Sequence, residues 1–195
     1  MRIAQIVPST EAEGPGVRTA IWTQGCSIRC PACCNPEFFA ATGGTEYSIP
    51  DLVQQILDSG SDGLTLLGGE PLNQPENTTA LAQAVQAVGK SVIVFSGYYR
   101  PEVEHRAPDL LKHVDVLVDG PFDHKLLEKD SPVIPRRWLG SSNQGLHFIT
   151  DRYCPQDFYG RNTVELRWSH ELGTLTMNGW PVTQYLSKNL PRKDK

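Results

Sequence analysis

Short β-branched runs alternate with helical ones along this chain. "RIAQIV" at the start and "VRTAIWTQ" after it read as extended segments. In "SIPDLVQQILDSG" the period changes: Leu52, Val53, Ile56 and Leu57 share one helical face, with Ser48 at the N-cap, Pro50 in the first turn and Gly60 closing the element. "GLTLLGG" is a compact apolar strand running into glycines, and "NTTALAQAVQAVGK" a second helix with Leu81, Ala84, Val85 and Val88 on one side and Gly89 behind it. "SVIVFSG" and "HVDVLVDG" are two more strands. Strand, helix, strand, helix, strand predicts an α/β fold with a parallel sheet and crossover helices.

Ligands in such sheets bind at the carboxyl ends of the strands. The glycine-rich and polar residues fall at those ends: Gly68-Gly69-Glu70, Ser96-Gly97 and Asp119-Gly120. That coincidence locates a candidate site. Residues 121–145, rich in proline and charge, predict a long loop. "TVELRWSHELGTLTMNGWP" holds two alternating runs around Gly173, a β-hairpin outside the α/β core. There is no internal repeat and no low-complexity tract.

Composition narrows the partners. The 195 residues suit one domain, or one domain with a short appendage, and 39% apolar content supplies a core. A net charge of −4 argues against a nucleic-acid binder, and the basic end "KNLPRKDK" is short and reads as solvated. No apolar run approaches the roughly 20 residues that span a bilayer. The opening "MRIAQIVPST" lacks a signal peptide's apolar segment and cleavage site. The expectation is a cytoplasmic protein with neither nucleic acid nor membrane as partner.

A reducing compartment changes how the cysteines read, because disulfides are rare there. Four of the five crowd into "GCSIRCPACCN": Cys26, Cys30, Cys33 and Cys34. Such crowding points to metal ligation or redox chemistry. Zinc normally takes four ligands, often as two separated pairs; here Cys154 is alone, and adjacent Cys33 and Cys34 converge awkwardly on one ion. An iron–sulfur cube usually takes four thiolates. Three from one loop, at the spacing C-x3-C-x2-C, would leave one iron open, and an open position is a reactive feature.

C-x3-C-x2-C followed by "GGEP" at a strand end resembles the radical S-adenosylmethionine (SAM) enzymes. That resemblance implies a single [4Fe–4S] cluster on Cys26, Cys30 and Cys33, with the amino and carboxylate groups of SAM on the fourth iron. Gly68, Gly69 and Glu70 would meet the methionine end of SAM, the glycines by close backbone approach and the glutamate by accepting from the amino group. Many of those enzymes carry an aromatic residue before the third cysteine; here it is Ala32. That small residue, with "GPGVRTAIWTQGCSIRCPACCNPEFF", "DVLVDGPF" and "GSSNQ", resembles the activating proteins of anaerobic ribonucleotide reductase.

The likeness covers residues 1–149 as a radical SAM domain, and 150–195 form an unassigned extension. It implies a short, open, partial (β/α) barrel, since a full eight-unit barrel takes about 250 residues. It also implies a glycyl-radical reductase subunit as partner. Cys34 and Cys154 are too few for a second cluster, so electrons would come from an external donor such as flavodoxin or ferredoxin.

The remaining positions keep two readings each. Ala32, Cys34 and Asn35 fall among cofactor-contacting positions of the resemblance, while Cys34 reads equally as an inert thiol and Asn35 as a loop-shaping residue. Ser96 and Asp119 face SAM or the substrate opening, or Asp119 caps the following loop. Ser142, Asn143 and Gln144 suit either ligand binding or loop stabilisation. Gly14-Pro15-Gly16 and Arg18 lie near the site, or form a turn and a surface charge. Two rival functions remain: a radical SAM enzyme whose 121–145 loop and hairpin define a pocket for a small molecule or peptide, and a non-catalytic iron–sulfur or zinc protein.

Overall fold

The computed structural model describes residues 1–128, 136–170 and 173–179. Its centre is four parallel strands: β2 (Arg18–Thr23), β4 (Gly63–Gly68), β5 (Ser91–Phe95) and β6 (Val116–Asp119). Three antiparallel pairings extend them. β1 (Arg2–Thr10) lies against β2, β3 (Thr45–Glu46) against β1, and β7 (Gly145–Phe148) against β6. The ladder runs β3-β1-β2-β4-β5-β6-β7, a seven-stranded mixed sheet.

Continuous apolar runs form the central strands because both faces of the sheet are covered. On one face Leu64, Leu66, Val92, Val94 and Leu117 pack under three helices. These are α1 (Ile49–Asp58), α2 (Pro75–Ala87) and α3 (Arg100–Arg106), which contribute Leu52 and Ile56, Leu81 and Val85, and Val103 respectively. On the other face Ile93 and Val116 pack with Trp138 and Phe158. Phe158 meets the Trp138 and Phe148 rings edge-on at 5.3 and 5.5 Å between centroids, a favoured aromatic geometry.

The predicted elements exist, with corrected faces and bounds. Ser48 caps α1 as expected, its Oγ accepting from the Asp51 N–H at 3.2 Å. Only Leu52 and Ile56 of the predicted face are buried; Leu57 is 40% exposed. α2 begins at Pro75 and buries Thr78, Leu81, Ala82 and Val85, while Val88 past its end is 43% exposed. Short β3, α3 and β7 carry no sequence signal strong enough to predict, and β7 starts at Gly145, the last residue of the expected 121–145 loop. Residues 129–135 of that loop, and the basic end of the chain, lie outside the described residues.

The hairpin forms as predicted. β8 (Val164–Ser169) and β9 (Thr174–Gly179) pair antiparallel as a separate two-stranded sheet. Among the described residues, no helix is long and apolar enough to cross a membrane.

Candidate functional site

β2 ends at Thr23, and the chain turns at once into the cysteine loop. Backbone hydrogen bonds stitch the root of that loop to the end of β4: Gly69 N–H to the Thr23 carbonyl at 2.8 Å, and Glu70 N–H to the Gly25 carbonyl at 2.9 Å. Its far end returns through Gly25 N–H to the Phe38 carbonyl (2.9 Å) and Cys26 N–H to the Phe39 carbonyl (3.2 Å). Gly68 and Gly69 are required by this stitching. A Cβ on Gly68 would drive into the Thr23 backbone, and one on Gly69 into the Gly25 carbonyl. Gly68 also takes a φ of 134°, a region open to glycine.

Glu70 is 1% exposed and ties two strand ends together. Its Oε1 accepts from Leu72 N–H and Ser96 Oγ, both at 2.9 Å, and its Oε2 from Gly97 N–H at 2.8 Å. Burial pushes its carboxyl pKa upward, against these three hydrogen bonds. Of roughly four acceptor positions on a carboxylate, one on Oε2 is left for a further donor.

A cavity opens at these strand ends. Cys26, Cys30, Cys33, Cys34, Asn35, Gly68, Gly69, Glu70 and Ser96 all border it. Sites suggested at separate places along the sequence thus converge. Arg29 and Ala32 take left-handed backbone angles, φ 53° and 58°, which coil the loop between successive cysteines. Ala32 itself is exposed and outside the cavity lining.

The thiols differ in character. Burial raises the Cys26 and Cys30 pKa values. Cys33 is pulled down to about 6, chiefly by the hydrogen bond from the Cys34 thiol, and Asn35 N–H adds a contact at 3.4 Å to its sulfur. The same hydrogen bond holds Cys34 protonated.

Donor chemistry decides what this loop fits. Among the described residues, no three His, Cys, Asp or Glu side chains gather as ligands of one ion. A cube instead takes each thiolate on a different iron, so three separated sulfurs around one cavity fit it. Cys154 is exposed and N-terminal to a short turn at Pro155–Phe158, away from the cavity lining.

Other candidates resolve into scaffold roles. Asp119 accepts from the first N–H of α3, Arg100, at 2.6 Å, and lies 3.0 Å from His147 Nε2; its neighbour Gly120 borders the cavity instead. Asn143 Nδ2 donates to the Pro121 carbonyl at 2.7 Å, and the Ser142 carbonyl accepts from Arg136 at 3.1 Å. Gln144 Oε1 accepts from Gly140 N–H at 2.8 Å, and this residue also borders the cavity. Loop stabilisation therefore accounts for most of "SSNQ".

Arg18 is not a surface charge, and it does not itself line the cavity. It is fully buried at the start of β2, donating to Thr65 Oγ1 (3.1 Å), Ser91 Oγ (2.5 Å), Tyr153 Oη (2.9 Å) and the Leu64 carbonyl (2.6 Å). Burial lowers its pKa, with Tyr153 opposing.

The cavity also holds residues that sequence reasoning missed. Trp22, Leu67, Phe95, Phe122 and Trp138 give it apolar walls, and Phe122 offers its backbone N–H to the Cys30 sulfur. Leu67 and Phe95 precede the polar strand ends already noted, which was the one available signal. Ala12 and Glu13, just before Gly14-Pro15-Gly16, border the cavity as well. So do Met177, Asn178 and Gly179 of the hairpin. Glu13, 7% exposed, accepts from Gly179 N–H at 2.6 Å; burial lifts its pKa to about 7.

A family model described as a 4Fe-4S single cluster domain matches residues 12–147. The anaerobic ribonucleoside-triphosphate reductase-activating protein of Vibrio cholerae is 32% identical over 161 residues, covering 77% of this chain and 99% of the relative. The protein of that name from enterobacteria phage T4 is 31% identical, covering 80% and 100%. The pyruvate formate-lyase-activating enzyme of Clostridium pasteurianum is 32% identical over 124 residues, covering 60% of this chain and 50% of the relative. This chain belongs to the 4Fe-4S single cluster domain family, among the radical SAM enzymes of the glycyl-radical activating type.

Proposed function

We propose that this protein generates a glycyl radical on an anaerobic ribonucleotide reductase subunit, using SAM and one [4Fe–4S] cluster held by Cys26, Cys30 and Cys33. The observation that carries this reading is the meeting of those three thiols with Gly68, Gly69 and Glu70 at one cavity. Its support from outside is the likeness to activating proteins along most of the chain. When bound, a cluster held by Cys26, Cys30 and Cys33 would supply the one-electron reduction of SAM on which hydrogen abstraction from the target glycine would depend.

The chain's own residues bind and orient. The free acceptor position of Glu70 suits the ammonium of SAM, and Gly68 and Gly69, whose missing side chains make room for the backbone of the cysteine loop, hold that carboxylate beside the thiols. Cys34, Asn35 and Ser96 complete the cofactor's surroundings. Ala32 and Asp119 act on the loop and on α3 without touching it. We read the linear ladder from β3 to β7 as a short, open barrel that admits a protein loop. Electrons would come from a separate flavodoxin or ferredoxin, in the cytoplasm.

A second reading, a small-molecule or peptide substrate, is favoured by Met177, Asn178 and Gly179 bordering the cavity. The test mixes reconstituted, reduced protein with SAM and the organism's anaerobic reductase. A glycyl EPR doublet is expected. SAM cleavage without a doublet selects the second reading, and no cleavage at all leaves a non-catalytic iron–sulfur or zinc protein.

A further inference from the structure

The hairpin β8–β9 lies beyond residue 147, where the family match ends. It docks the wrong way round for a ribbon packed on a protein body, because its polar face is the inner one. The Glu165 carboxylate accepts from Glu11 N–H at 2.8 Å, and Asn178 Nδ2 donates to Thr10 Oγ1 at 2.9 Å. Glu13 accepts from Gly179 N–H at 2.6 Å, and Arg167 donates to the Ser9 carbonyl.

The apolar face is left outward. Leu166, Trp168 and Leu175 are 64%, 63% and 59% exposed, and Val164 is 41% exposed. The register sets Leu166 opposite Met177 and Trp168 opposite Leu175, so the side chains form one contiguous strip. A slip of one residue would turn this strip inward, but the four inner hydrogen bonds fix it outward. An apolar strip held toward solvent marks an interaction surface.

We propose that this strip is the docking surface for the glycine-bearing partner protein, with Trp168 as its anchor. The proposal rests on the activase reading. A partner that inserts a backbone glycine into the cavity must rest its body beside the cavity rim. The strip begins at that rim, since Met177 belongs both to the outward face and to the cavity lining. The partner's matching face is apolar, because the strip carries no charge.

The test uses reconstituted holoprotein reduced chemically with dithionite, comparing the unmodified chain with Trp168→Ser and with Leu166→Ser/Leu175→Ser. Iron content and partner-independent SAM cleavage should match in all three. Partner affinity should fall roughly tenfold or more for Trp168→Ser, as for a central aromatic anchor. The glycyl doublet should be weak at low partner concentration and recover at high concentration. Unchanged affinity and doublet yield in both variants overturn the proposal. So does a dimer of the unmodified chain that Trp168→Ser dissociates, which assigns the strip to a second copy. A defect seen only when flavodoxin replaces dithionite assigns it to the electron donor, and protection of Trp168 from oxidative labelling in the isolated monomer assigns it to the chain itself. Failure of the unmodified protein to cleave SAM is a different result: it overturns the activase reading and takes this proposal with it.

Discussion

At the scale of single residues, the cysteine loop sorts its thiols by neighbour. Cys33 sits near a pKa of about 6 because the Cys34 thiol donates to it. In the metal-free protein at pH 7, Cys33 should therefore be the first cysteine alkylated by iodoacetamide, with half-maximal rate near pH 6. Cys34→Ala should move that midpoint up toward the ordinary thiol range near 8.5; mass-spectrometric mapping against pH reads both. After reconstitution, Cys30→Ala should abolish cluster binding, whereas Cys154→Ala should leave iron content unchanged. Equal loss in both would reverse the ligand assignment. The two glycines before Glu70 make a separate case. Gly69→Ala forces a methyl against the Gly25 carbonyl, so denaturation should show a loss of roughly 1–3 kcal/mol. A neutral substitution would mean that the stitch between β4 and the loop is loose.

The cysteines were legible as a cluster motif because spacing along one short loop is a local property. Glu13 was not, because its significance lies in contacts with residues more than 160 positions away. The same holds for Arg18, whose partners Thr65, Ser91 and Tyr153 meet it only when the strands align.

Among elements, α1 follows local rules most closely. Ser48→Ala removes its cap and should cost about 1 kcal/mol in an unfolding titration. Periodicity identified α1 and α2 but overstated their apolar faces, since Leu57 and Val88 are only partly covered. A pattern gives the side of a helix that can be buried; the neighbouring element decides how much is. The hairpin shows the reverse, for its alternation predicted two strands without saying which face would dock.

Glu13 makes that docking sensitive to pH. Its carboxyl is held at about 7 by burial, while hydrogen bonds from Gly179 and Asn178 pull the other way. The folded protein thus binds this proton more tightly than the unfolded chain, whose carboxyl titrates near 4.5. The stabilisation is complete below that lower value and is lost as pH rises through 7. Glu13→Gln should flatten this part of the stability profile between pH 4.5 and 7. A profile that keeps its slope in the variant would assign it to another group.

The whole molecule brings strand ends, cysteine loop and hairpin together at one mouth. Four parallel strands supply the floor, and their order explains why polar residues far apart in sequence meet there. That much followed from the alternation of strand and helix. The short edge strands β3 and β7 did not, because so few residues carry little periodic signal, and the extended segment that became β1 gave no sign of its antiparallel pairing. The central proposal is chemical: a cube held by three protein thiolates would keep one iron for SAM. EPR of the reduced, reconstituted protein with and without SAM tests it most directly. The account predicts a signal whose shape changes when SAM is added, and which Cys26→Ala eliminates. A signal of a reduced cluster that stays the same on adding saturating SAM would contradict it.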